Sequence, residues 1–118
     1  MLLAGCENET MMESFSLNTC GEAGDKIEQV SGRTGTMWYN KEWDEYRVQY
    51  AKPGTYDAVI VGIVCNLPHE WKDEEVKSGV KVIFSGVYNE ILDNPRFGPA
   101  GSEYYYLQII NLKKTGQP

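Results

Sequence analysis

A chain of 118 residues with 17 acidic and 11 basic side chains carries a formal net charge of -6. That length makes one domain, large enough to bury a core without a metal to staple it. The charge excludes partners held through phosphates, because nucleic-acid binding rests on Lys and Arg neutralising a polyanion. No apolar run approaches the roughly 18 residues of a membrane span.

The chain opens on Met1-Leu2-Leu3-Ala4-Gly5-Cys6, in which Leu3-Ala4-Gly5-Cys6 reads as a lipobox. In a lipobox, small residues ahead of the cysteine fit the signal peptidase, and the thiol takes a diacylglyceryl group before the cysteine becomes the mature N-terminus. The expected partner is therefore a lipid bilayer, reached through acylated Cys6, at the periplasmic leaflet or cell surface. Several chains on one cysteine anchor firmly where a single chain anchors only marginally. A signal peptide has a charged n-region and an apolar h-region of roughly 7–15 residues, whereas only five uncharged residues precede Cys6. The expectation is a start placed downstream of the true one, or a truncated form.

Residues 1–6 are then residual signal and residues 7–26 a flexible tether, rich in Glu, Asn, Thr, Ser and Gly, with one short strand at Ser14-Phe15-Ser16-Leu17. With Cys6 committed to lipid, Cys20 and Cys65 remain. In an oxidising compartment they form either a disulfide, stabilising by about 2–4 kcal/mol, or two free thiols, with Cys65 a small buried apolar group.

From Ile27 the pattern becomes that of strands. Thr36-Met37-Trp38-Tyr39 and Trp43 to Tyr50 are two β-rich runs separated by Asn40-Lys41-Glu42, a hairpin signal. In the second run Tyr46, Val48 and Tyr50 alternate with Glu45, Arg47 and Gln49, which predicts one core face and one wet face. After the turn Lys52-Pro53-Gly54-Thr55, Tyr56 to Cys65 forms a central strand in which Gly62 permits a bend. Pro68 to Lys77 predicts a short helix ending before Gly79, with Pro near its first turn, early acids, and Trp71 and Val76 facing inward. Val80 to Tyr88 is a fourth strand and Tyr104 to Leu112 a fifth, joined by a loop containing Asn94-Pro95, Gly98-Pro99 and Gly101. The barrel domain is expected over residues 27–113, with a polar tail at 114–118.

Five strands with one short helix between the third and fourth predict an all-β fold, a small five-stranded OB-like barrel, with an antiparallel β-sandwich as the alternative. Gly35-Thr36-Met37-Trp38-Tyr39-Asn40, Asp57-Ala58-Val59, Asn66-Leu67-Pro68-His69-Glu70-Trp71, Val82-Ile83-Phe84-Ser85-Gly86 and Tyr104-Tyr105-Tyr106-Leu107 together resemble small bacterial envelope lipoproteins of unknown function. The resemblance covers about residues 33–112. It implies a secreted, lipid-anchored domain with an OB-like barrel, and its motifs are structural punctuation that brings no catalytic residue.

Residues that could carry chemistry are few. His69 is the lone histidine, so no His-rich metal site is expected, and a Cys-His nucleophilic pair would have to join it to Cys65 or Cys20. Asp44-Glu45 and Asp73-Glu74-Glu75 are expected on solvent faces, unlike the opposed carboxylates that acid-base catalysis needs. No cofactor and no catalytic residue is predicted. The candidate binding surface is aromatic, comprising Trp38, Trp43, Tyr39 and Tyr46, with Trp43 beside the turn the least core-like. The reading is a non-catalytic, envelope-anchored module that holds a protein or glycan ligand. The alternatives are a small-barrel protease inhibitor presenting the Asn89 to Ser102 loop, and a hydrolase using Cys65 and His69.

Overall fold

A computed structural model describes residues 23–55, 58–92, 94–96 and 101–115. The lipobox with Cys6, the tether through residue 22, the strand expected at Ser14–Leu17 and Cys20 lie outside the described residues. Five strands, β1 (Ala23–Asn40), β2 (Glu45–Ala51), β3 (Val59–Val64), β4 (Val80–Ile91) and β5 (Ser102–Lys114), close into a barrel in the order β1-β2-β3-β5-β4. All neighbours are antiparallel except β3 and β5, which run parallel from Val59↔Ser102 to Val64↔Leu107. This is the small OB-like barrel that the element order predicts, and the sandwich alternative falls because the sheet closes on itself.

β1 begins at Ala23, so residues 23–26, expected in the tether, belong to the barrel. Its length follows from its two jobs. The first half pairs with β4, and the stretch around Thr36 and Met37 pairs with both β4 and β2. Serving two neighbours requires a sharp bend. It falls where Val30 to Arg33 takes three steps on β1 while Gly86 to Phe84 takes two on β4. Gly32 takes the extra step at φ 62°, the left-handed conformation such a bulge demands, and its N–H donates to Ser85 Oγ at 2.9 Å.

Alternation then sorts the side chains. Met37, Val48, Phe84, Tyr88, Leu107, Ile109 and Leu112 fill the barrel, with Tyr46, Tyr50 and Ile60 beside them. Gly62 works less as a bend than as a close approach, since a Cβ there would lie 2.9 Å from Leu107 Cβ.

Pro68 to Lys77 was expected as one helix, but it is two pieces: a 3-10 turn at His69–Trp71 and a helix α1 at Glu74–Ser78. The break is local. Asp73 adopts an extended conformation and its carboxylate accepts the Val76 N–H at 2.9 Å, so the chain starts a new helix at an N-cap rather than continuing the old turn. Val76 is fully buried, and Leu67 and Trp71 pack against the same core. The connection thereby stoppers one end of the barrel.

Candidate functional site

At the stoppered end lies a cavity of about 660 Å³, walled by the β1–β2 hairpin, the exit of β3, the β3–β4 connection and Arg96 of the β4–β5 connection. Tyr39, the penultimate residue of β1, and Tyr46, the second residue of β2, are cross-strand partners. Their rings meet at 4.9 Å and an angle of 51°, a tilted pair of the kind aromatic quadrupoles favour. The Tyr39 hydroxyl donates to Asp44, and burial of the ring edge together with nearby carboxylates raises the pKa of Tyr46. Asp44 itself sits at φ 53° in the hairpin turn, which Asp tolerates better than most residues.

The acids of this region are engaged. Glu45 accepts from Arg96 Nε at 3.0 Å and Nη2 at 2.7 Å, and from Arg47 Nε at 2.8 Å. The three side chains are only 8–10 % exposed. The paired carboxylate raises the pKa of the Arg96 guanidinium. Asp73 caps α1, and Glu74 lies 3.9 Å from Lys77. Lys77 stands 5.3 Å over the Tyr39 ring, and Lys72 and His69 line the cavity, exposed, with no side-chain partner among the described residues.

The outer wall of β2 corrects an expectation. Glu45 and Arg47 were to face solvent, yet Arg47 is 6 % exposed. Arg47 lies 5.5 Å from both the Trp38 and Tyr104 rings, and Val61, Ile63 and Ile91 form a second apolar cluster with Tyr104 and Tyr106 on the outward positions of the sheet. Guanidinium groups cover this cluster because their weakly hydrated faces stack on aromatic rings. Arg96, from the distant β4–β5 connection, is held at 4.7 Å over Trp43.

The four aromatic candidates therefore split. Tyr39 and Tyr46 line the cavity. Trp38 lies on the outer wall, where its indole N–H donates to Gln49 Oε1 at 3.3 Å, and Trp43 stays 41 % exposed at the hairpin turn, under Arg96. Cys65 and His69 both border the cavity, but Cys65 is disulfide-bonded. The other two cysteines, Cys6 and Cys20, lie outside the described residues, as does the tip of the Asn89 to Ser102 loop at 97–100. Among the described residues, no three His, Cys, Asp or Glu side chains converge as a metal site would require, and no helix is long and apolar enough to cross a membrane.

Sequence reasoning missed Lys72, Lys77 and the Arg47–Glu45–Arg96 triad. Glu45 and Arg47 share a strand face two residues apart, which was a usable signal. Arg96, 51 residues further along, gave none. No family model matches the chain, and no curated protein matches it. Fold and site thus define a class, a small closed β-barrel with a cavity at its stoppered end lined by a tyrosine pair and side chains of both charges.

Proposed function

We propose that this chain is a non-catalytic binding module that holds a glycan in the cavity between Tyr39, Tyr46 and the β3–β4 connection. The observation that carries the reading is the cavity's lining, in which a tyrosine pair is framed by side chains of both charges. Aromatic faces take the C–H faces of sugar rings, and fixed polar groups around them take hydroxyls. The closed barrel weighs against an extended peptide ligand, because strand addition needs a free sheet edge. A half-cystine has no thiolate to offer, which weighs against the Cys65–His69 hydrolase. Arg96 folded back on Glu45 weighs against a protease inhibitor, whose loop must project outward.

In this reading the lipobox supplies the address: acylated Cys6 holds the module at the cell envelope, on a bilayer, without nucleic acid as a partner. The binding test is a glycan array probed with the wild-type chain, Tyr39→Ala and Trp38→Ala. Loss of saccharide binding in Tyr39→Ala with retention in Trp38→Ala is expected. Equal binding by all three variants removes the cavity assignment. Lipidation is tested separately by fatty-acid labelling of the gene's product in its own cell, where label that survives Cys6→Ser overturns the anchor.

A further inference from the structure

Cys65 ties the cavity wall to a part of the chain that is distant in sequence. It follows Val64, the last residue of β3, and its N–H donates to Leu107 O at 3.0 Å. The next residue, Asn66, is bonded through both ends of its amide to Ile109. The cysteine is therefore held firmly in the wall of the cavity that it lines. It is also disulfide-bonded, and the chain's other cysteines are Cys6 and Cys20. Both precede β1, which begins at Ala23, and both lie outside the described residues. A disulfide keeps the two Cα atoms within about 4.4–6.8 Å of each other. Whichever cysteine is the partner, the bond brings chain from ahead of β1 to the edge of the cavity.

We infer that the N-terminal segment completes the cavity, strapped to its wall by a bond between Cys65 and a cysteine ahead of β1. With Cys6 acylated as proposed above, the partner is Cys20, and the residues flanking Cys20 border the cavity. The strap deepens the glycan reading, on which it rests, by giving the cavity a wall from the chain's own terminus and a condition for that wall, the oxidised state. Forming the bond removes one hydrogen from each thiol. A disulfide-bearing oxidant such as glutathione disulfide takes up both hydrogens and the electron pair, and leaves as two thiols. Such bonds persist in oxidising compartments, where an envelope-anchored module would sit. Reduction would release the strap and widen access to the cavity while the barrel stays closed, because every strand pairing of the barrel is made without residues 1–22.

Two measurements test the strap, both on the full chain purified without reductant from the cell that makes it. Neither needs a ligand, so their failure is distinguishable from failure of the glycan reading. Digestion without reductant followed by mass spectrometry should link Cys65 to Cys20. A Cys65–Cys6 link overturns the assignment to Cys20 and, with it, acylation of Cys6; a free Cys65 or a Cys6–Cys20 link overturns the strap itself. Access is read by nitration with tetranitromethane, mapped residue by residue, in the oxidised chain and in Cys65→Ser with its remaining thiols capped by iodoacetamide. Tyr39 lines the cavity, whereas the equally half-buried Tyr105 sits near the start of β5, away from it. Loss of the strap should speed nitration of Tyr39 by about fivefold and leave Tyr105 unchanged, as a local opening would. Equal Tyr39 rates in the two proteins overturn the strap as a wall of the cavity. Parallel acceleration of both tyrosines overturns it as well, since that reports loosening of the whole barrel.

Discussion

At the scale of single residues, the polar groups at the end of the barrel opposite α1 set its response to alkali. Glu103 accepts from Lys52 Nζ at 2.7 Å and from the Tyr105 hydroxyl at 2.8 Å, and these bonds hold its carboxyl below the usual range. Burial first, and the Glu103 hydrogen bond second, push Tyr105 up to about 12. Burial raises Tyr88 further still. A tyrosine whose folded pKa lies above its unfolded value near 10 stabilises the fold fully below pH 10. That stability is lost as pH rises from about 10 through the folded pKa, because the unfolded chain releases the proton first. Absorbance at 295 nm should therefore show at least two tyrosines ionising only above about pH 11, with unfolding free energy falling as pH rises from about 10. Ionisation of all tyrosines together near pH 10 in the folded protein would contradict the buried placement of Tyr88 and Tyr105.

At the scale of elements, most of the strands were legible because they obey a period of two. Tyr46, Val48 and Tyr50 point into the barrel as their alternation predicts, and Val82, Phe84 and Tyr88 do the same on β4. The boundaries were less legible. β1 extends to Ala23 because pairing with β4 continues through Lys26↔Asn89 to Ala23↔Ile91, well past the last strongly apolar residue of the run. The helix broke where Asp73 found a better use as a cap. Asn66, just beyond the end of β3, is a ladder member in disguise. Its Nδ2 donates to Ile109 O at 2.9 Å and its Oδ1 accepts from Ile109 N at 2.8 Å, which extends the β3–β5 pairing beyond the end of β3. Asn66→Ala would leave a buried N–H and a buried C=O without partners, and should destabilise by about 2–4 kcal/mol in urea unfolding. A loss below about 1 kcal/mol would mean that water replaces the amide.

At the scale of the whole molecule, Glu45 ties the start of β2 to the connection between β4 and β5, joining segments that the sequence keeps far apart. Because Arg47 and Arg96 share it, the two ends of the bridge are unequal. Glu45→Ala strands two guanidinium groups that are mostly shielded from water and should cost roughly 3 kcal/mol or more. Arg96→Ala leaves the Glu45–Arg47 pair intact and should cost less, while speeding hydrogen exchange in the β4–β5 connection. Equal losses in urea titrations would contradict this unequal sharing of Glu45 between Arg47 and Arg96.

The sequence by itself determined the barrel. Alternating apolar positions, turn residues at the right intervals and a single helix signal between the third and fourth strands admit few closed arrangements, since each strand must bury one face. It also determined which aromatics could matter, through their crowding into the first hairpin. Only the tertiary structure decided how they divide. Trp38 and Trp43 are drawn under Arg47 and Arg96, whereas Tyr39 and Tyr46 are left to line a cavity with Lys72 and Lys77. The physical reason is distance along the chain. A period of two is written into neighbouring residues, but the partner that neutralises a buried carboxylate or leaves a lysine unpaired arrives from another strand, and closure of the barrel fixes which one it is.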